Sequence, residues 1–141
     1  MATVLITGGT GLIGRAITKA LLEMNYDVII LSRNVRDPEL VTHNLSYAQW
    51  NIKEQTIDKN AITNADYIIH LAGAGIVDKR WTKKRKQEIV DSRVKSSELI
   101  VRALKENTNK VKAVINASAI GWYGSDPSLP NPCPFTEDDP A

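Results

Sequence analysis

Seven consecutive positions near the start of the chain hold four glycines: Gly8-Gly9-Thr10-Gly11-Leu12-Ile13-Gly14. They follow a short aliphatic run, Val4-Leu5-Ile6-Thr7, and open a stretch with helical spacing. Two glycine registers overlap. Gly9-x-Gly11-x-x-Gly14 matches the dinucleotide fingerprint, and Thr7-Gly8-x-x-Gly11-x-x-Gly14 matches a related variant. Either way the chemistry is the same. The early glycines allow a sharp turn out of a strand, Gly11 lets backbone approach a pyrophosphate, and Gly14 lets a helix pack closely on that strand. The helix start then offers free N–H groups and the positive end of its dipole to phosphates. A purely structural turn is the competing account. A P-loop is a near miss, because Arg15-Ala16 stands where Lys-Ser/Thr would hold the terminal phosphates and Mg²⁺. ATP or GTP hydrolysis is therefore rejected.

A second constellation selects the cofactor. An acidic residue about 20 positions past the glycines would take the ribose 2′-hydroxyl of NAD. The chain has Ser32-Arg33-Asn34 there. A carboxylate would repel a 2′-phosphate, whereas the Arg33 guanidinium attracts it. NADP(H) is expected over NAD(H), unless Arg33 is only a solvated loop residue.

Other reactive residue types carry less. Lys79 to Lys86 holds six basic residues in eight, with Trp81 among them. A nucleic-acid patch would use that pattern, but a solvated helix face explains it as well and the overall charge is nearly balanced. Basic residues at a helix start oppose its dipole, which favours a phosphate or substrate role for Arg80. His70 lies in an apolar run and reads as a satisfied core histidine. His43 is distant and Cys133 is the single cysteine, so no metal site is expected. Asp91 and Arg93 are two apart on a helix and do not face one another.

The elements that must position these residues alternate. Val4–Thr7 and Asp27–Ser32 read as buried strands, with a helix over Leu12–Met24 between them. Tyr47–Trp50 is a third strand, Ile57–Ala65 holds a short helix, and Tyr67–Leu71 is a fourth strand ending at Ala72-Gly73. Thr82 caps a helix running to about residue 106, and Val111–Ala117 is a fifth strand. This order predicts an α/β fold: a Rossmann-type doubly wound parallel sheet with helices on both faces, truncated after the fifth strand. Residues 1–125 form the dinucleotide-binding domain. Residues 126–141 form a proline-rich segment leading to an absent C-terminal substrate region, since five of the six prolines lie between Pro127 and Pro140.

Composition agrees. The chain has 141 residues, is 43% apolar and 24% charged, and carries a net charge of +2 from 18 basic and 16 acidic residues. That suits one soluble domain and excludes the strong positive field of a nucleic-acid or membrane-surface protein. No apolar run approaches the roughly 20 residues of a membrane span. The start lacks a basic, then apolar, leader pattern, and a cytoplasmic protein is expected.

Thr7-Gly8-Gly9-Thr10-Gly11-Leu12-Ile13-Gly14, His70-Leu71-Ala72-Gly73 and Ser118-Ala119-Ile120-Gly121-Trp122-Tyr123-Gly124 together resemble the extended short-chain dehydrogenase/reductases, which include nucleotide-sugar epimerases and dehydratases. Leu71-Ala72-Gly73-Ala74-Gly75-Ile76, Lys79-Arg80-Trp81 and Asp91-Ser92-Arg93 resemble an atypical branch of them, the epimerase family proteins of the 39U type. Members are about twice this length, so the resemblance is to their N-terminal half. It implies that Gly8, Thr10, Gly11, Leu12, Ile13 and Gly14 contact the pyrophosphate and that Ser32 and Arg33 bind the 2′-phosphate. Asn51 would lie near the adenine, and Leu71, Ala72 and Gly73 would line the nicotinamide-side ribose. Ser118 would sit beside the nicotinamide and bond a substrate oxygen, with Tyr123 a weaker catalytic candidate and Arg80 and Trp81 facing substrate. The implied substrate is a small molecule, with nucleotide-sugar-like compounds among the candidates. Two departures bear on catalysis. No Tyr-x-x-x-Lys pair occurs in this chain, and Arg93 stands where many relatives have a catalytic asparagine. The expected function is thus an NADP(H)-binding epimerase- or dehydratase-like oxidoreductase. The alternative is a non-catalytic NADP(H)-binding redox sensor or interaction module.

Overall fold

The computed structural model describes residues 1–34, 43–118 and 136–138. In chain order the elements are β1 (Thr3–Thr7), α1 (Leu12–Glu23), β2 (Asp27–Ser32), β3 (Leu45–Asn51), β4 (Thr56–Ile57), α2 (Lys59–Asn64), β5 (Tyr67–His70), α3 (Lys83–Glu106) and β6 (Ala113–Asn116). The described strands form one sheet in the order β4-β3-β2-β1-β5-β6. All pairings are parallel except β3 with β4. The chain moves outward from β1 through β2 to β3, then returns to the other side of β1 with β5. The strand order therefore reverses between β1 and β5, which is where an open α/β sheet leaves a crevice at its carboxyl edge.

Alternation along the strands divides the core in two. Val4, Ile6, Val28 and Ile30 point to one face and pack with Ile17, Leu21 and Leu22 of α1. Leu5, Leu31 and Ile68 point to the other and pack with Ile62 of α2 and Leu99, Ile100 and Ala103 of α3. This is the doubly wound arrangement expected from strands that are apolar on both sides.

Helix ends follow local chemistry. Gly11 caps α1 with no side-chain bond, Asp58 caps α2 by accepting from the Asn60 amide at 2.8 Å, and Thr82 caps α3 by accepting from the Arg85 amide at 3.1 Å. At its far end α1 closes with Tyr26 N–H on Leu21 O and Asn25 N–H on Leu22 O, both at 3.0 Å. Asn25 takes φ = 60° there, the left-handed position that usually holds glycine.

Two expectations need correction. The sheet gains a strand, β4, because Asn51 Oδ1 accepts from the amides of Lys53 at 3.0 Å and Glu54 at 3.3 Å. That turn, completed by Gln55 at φ = 55°, folds Thr56–Ile57 back on Trp50–Asn51. Ile57 is accordingly strand, and the short helix begins only at Lys59. Leu71 lies just past β5, whose last residue is His70. The expected boundary at residues 125 and 126 lies outside the described residues.

Asp66 ties the amino ends of three strands together. Its carboxylate accepts from the Thr3 amide at 2.9 Å and lies 3.3 Å from Lys110 Nζ and 3.9 Å from Lys112 Nζ. The Thr3 amide, then the two ammonium groups, hold the Asp66 carboxyl below the ordinary aspartate value of 3.8, against the opposing effect of burial. A lowered carboxyl pKa stabilises the fold above 3.8, and that contribution is lost as pH falls through the lower folded value. Asp66→Asn is expected to lower the melting temperature at neutral pH, with the gap from wild type closing under acid conditions below pH 3.8. A gap that stayed constant across thermal melts from pH 7 to 2.5 would remove the linkage.

Candidate functional site

The β1–α1 turn is built by what it lacks. A Cβ placed on Gly14 would stand 2.2 Å from Gly8 O and 2.6 Å from Gly9 Cα, so α1 seats its first turn directly on the backbone of the preceding loop. Gly8 has φ = 72°, and a Cβ there would meet the backbone of Leu71 and Ala72 at 3.0 to 3.1 Å. Gly9 faces Ile30, whose side chain fills the space a Cβ would need. Gly11 differs, since a Cβ on it would approach only Gly8 O, at 3.3 Å.

The first bond of α1 runs from Arg15 N–H to Gly11 O at 2.9 Å. With no side-chain cap, the amides of Leu12, Ile13 and Gly14 are the helix's orphan donors. Leu12 is 91% exposed and Ile13 64% exposed beside them, an unusual place for two large aliphatic side chains. Uncapped amides, a positive dipole end and no intruding Cβ fit an anionic diphosphate. Arg15 Nε donates to Thr10 O of the same turn at 2.9 Å.

The facing wall follows β5. Thr7 Oγ1 accepts from the amides of both Leu71 and Ala72 at 3.1 Å and lies 2.6 Å from His70 Nδ1. With its lone pairs engaged, the Thr7 hydroxyl donates to Nδ1, which fixes the proton of the neutral imidazole on Nε2. Nε2–H then donates to Ser96 Oγ at 3.1 Å, and the Ser96 hydroxyl donates to Arg93 O at 3.0 Å. This buried chain joins β1, β5 and α3. His70 is the satisfied core histidine that the sequence suggested, with its ring edge-on to Trp50.

The segment after β5 is latched onto α3. Ser92 Oγ accepts from the Ala74 amide at 2.9 Å. Arg93 Nη1 donates to Ala74 O at 3.2 Å and Ile89 O at 3.1 Å. Arg85 donates to Gly75 O and pairs with Glu88 at 2.8 Å and Asp78 at 3.7 Å. Trp81 Nε1 donates to Ile76 O at 2.8 Å. Within the basic run expected to be a solvated face, Arg85 is the exception, with its side chain only 7% exposed. A buried arginine cannot be told from its solvated neighbours by composition. The only local signal was Glu88 three residues on, in reach as an i,i+3 partner.

The remaining expected residues fall along the same carboxyl edge, since β1, β2, β3, β5 and β6 all run parallel. Ser32 ends β2, and its Oγ accepts from the Asn34 amide at 3.4 Å. Arg33 follows, exposed, with no carboxylate partner among the described residues. Asn51 ends β3 with its amide oxygen committed to the turn into β4. Ser118 lies two residues past β6 and is exposed. From β2 to β6 the edge spans three strand spacings, about 14 Å. Arg80 and Trp81 lie at the start of α3, both exposed, with Lys86 Nζ 5.8 Å from the Trp81 ring centre. Tyr123 and Cys133 lie outside the described residues. Among the described residues there is no cluster of three metal-ligating side chains, and no helix long and apolar enough to cross a membrane.

The model of the NAD dependent epimerase/dehydratase family matches residues 4–141. Among curated proteins, epimerase family protein YfhF of Bacillus subtilis is 39% identical over 133 residues, covering 94% of this chain and 41% of that protein. Epimerase family protein SSP1921 of Staphylococcus saprophyticus is 37% identical over 122 residues, covering 86% and 39%. Among solved structures, human epimerase family protein SDR39U1 (isoform 2) with NADPH superposes with a TM-score of 0.73 at 26% identity, covering 98% of this chain and 42% of that one. UDP-glucose 4-epimerase from Bifidobacterium longum in complex with NAD⁺ and UDP gives a TM-score of 0.74 at 26% identity, covering 99% and 42%. The chain spans about two fifths of the length of the curated relatives it matches.

Gly14→Ala and Gly11→Ala should separate packing from proximity. The first is expected to destabilise the fold by about 1–3 kcal/mol or more through overpacking, and the second by far less. Denaturant unfolding compares them, and equal losses would contradict the packing account. Burial holds the His70 imidazole below the ordinary 6.5. A depressed histidine value stabilises the fold above 6.5, and this is lost as pH falls through the folded value. NMR titration of the ring protons should give a midpoint under 6.5, whereas a midpoint at or above it would undo the burial account of His70.

Proposed function

This chain belongs to the NAD dependent epimerase/dehydratase family, and from that premise we propose that it binds NADP(H) along the carboxyl edge of the sheet, in an oxidoreductase of the epimerase or dehydratase type. The observation that carries the reading is the uncapped start of α1, seated on bare glycine backbone at the reversal of strand order. The amides of Leu12, Ile13 and Gly14 would hold the diphosphate, with Gly8, Thr10 and Gly11 shaping the turn. Ser32 and Arg33 would take the 2′-phosphate, and Leu71, Ala72 and Gly73 the ribose nearer the nicotinamide. Asn51 would reach the adenine with its amide nitrogen, its oxygen being engaged.

The preference for NADP(H) rests on Arg33. It stands exposed at the end of β2 with no carboxylate partner among the described residues, where an acidic residue would favour NAD(H). A nicotinamide held there would supply hydride exchange with a carbon bearing a hydroxyl or carbonyl group. Ser118 would hydrogen-bond the substrate oxygen, and Arg80 and Trp81 would face substrate from the start of α3. Tyr123 remains a catalytic candidate on sequence position alone. A small molecule of nucleotide-sugar type is the proposed substrate class, in keeping with the UDP held by the Bifidobacterium longum relative.

A second reading, an NADP(H)-binding sensor without turnover, draws on Arg93 in α3, which brings a fixed positive charge to the position matched to a catalytic asparagine. Hydride-transfer assays over nucleotide sugars and simple carbonyl compounds divide the two, because turnover lost in Ser118→Ala would defeat the sensor. For the cofactor, Arg33→Asp should weaken NADPH binding about 10- to 100-fold, the worth of one or two charge-assisted bonds, and leave NADH within about threefold. Calorimetry in which both affinities fell together would mean that Arg33 supports the loop and reads no phosphate.

A further inference from the structure

Arg93 is anchored unlike the exposed basic residues before it. A Cβ built on Gly73 would stand 3.0 Å from its Cζ and 3.2 Å from both terminal nitrogens. With Cζ nearest and the nitrogens equidistant, the guanidinium lies face-on against the Gly73 backbone. Nη1 directs its protons at Ala74 O and Ile89 O. These bonds orient the group without neutralising it.

The carboxylates in reach are engaged elsewhere. Glu88 and Asp78 pair with Arg85. Asp91 accepts from Lys95 at 2.8 Å and Gln87 at 2.7 Å. Among the described residues Arg93 has no ion-pair partner, and its Nε and Nη2 donors meet no protein acceptor. Its location gives this meaning. The backbone of Leu71 and Ala72 lies against Gly8, and the guanidinium packs on Gly73, the next residue of that same segment, on the β5 side of the turn that opens α1.

We propose that Arg93 is an oxyanion-binding residue of the β5 wall, taking a phosphate or carboxylate of the ligand in the crevice. The proposal rests on the dinucleotide reading of that crevice and deepens it by adding a second charged contact opposite the helix start. A guanidinium already held along one edge loses little freedom when its remaining donors close on a planar or tetrahedral anion. The anion belongs either to the cofactor's diphosphate or to the substrate.

Calorimetry on the full chain, with Arg93→Gln and Arg93→Lys beside wild type, tests this in three arms: NADPH into free protein, inorganic pyrophosphate into free protein, and pyrophosphate into NADPH-saturated protein. Arg93→Gln should lose about tenfold or more in affinity in the arm that presents the anion. The salt dependence of that arm should flatten, which a latch to Ala74 alone would not cause, and Arg93→Lys should recover part of the loss. Loss with NADPH assigns the cofactor diphosphate, and loss confined to the saturated protein assigns a substrate anion. If every arm stays within twofold, or pyrophosphate fails to bind and NADPH is unaffected, Arg93 is only a latch and the proposal is overturned. If wild type binds no NADPH, the cofactor reading fails separately, and the pyrophosphate difference between wild type and Arg93→Gln still judges Arg93.

Discussion

The carbonyl oxygen of Gly8 occupies the space where any side chain at residue 14 would have to begin. That contact fixes how closely α1 can sit on the end of β1, and so where its unbonded amides point. The positive φ of Gly8 then sends the chain past Leu71 and Ala72 with too little room for a Cβ. One side of the crevice is thus shaped by the removal of atoms.

The opposite side is shaped by polar groups. The Thr7 hydroxyl holds two consecutive amides at the exit of β5, and its own proton fixes the imidazole of His70. Ser92, Arg93 and Arg85 then fasten Ala74 and Gly75 to α3. The bonds to Ala72, Ala74 and Gly75 satisfy backbone groups of irregular chain that would otherwise lack a protein partner. The two walls therefore differ in character, and both meet at Thr7, the last residue of the central strand.

Much of this was legible from residue order. Asp27–Ser32 reads as a strand because its residues are apolar on both faces, and Thr82 reads as a cap because the hydroxyl precedes a long helical stripe. The glycine spacing marked the turn between β1 and α1, and the near-balance of charge over the whole chain favoured a solvated face for Lys79–Lys86. What was not legible depended on side chains finding distant partners. β4 is the exception, a local event, because Asn51 closes a turn onto the amides of Lys53 and Glu54. Arg85 is drawn inward by Gly75 O, Asp78 and Glu88, a combination that only the path of the 71–82 segment brings together. The role of Ser96 in fixing His70 spans β5 and α3 and leaves no trace in spacing.

The crevice straddles the pairing of β1 with β5, whose partners Thr7 and His70 lie 63 residues apart. Closing so long a loop is entropically costly and tends to come late in assembly. An intermediate holding only β1, α1 and β2 would have the glycine turn but no facing wall. Any molecule that needs both walls will ignore such intermediates and draw the population toward completed chains by mass action. A ligand contacting both walls would thus act as a fastener on the longest-range pairing of the sheet's centre, adding its binding free energy to the completed fold alone.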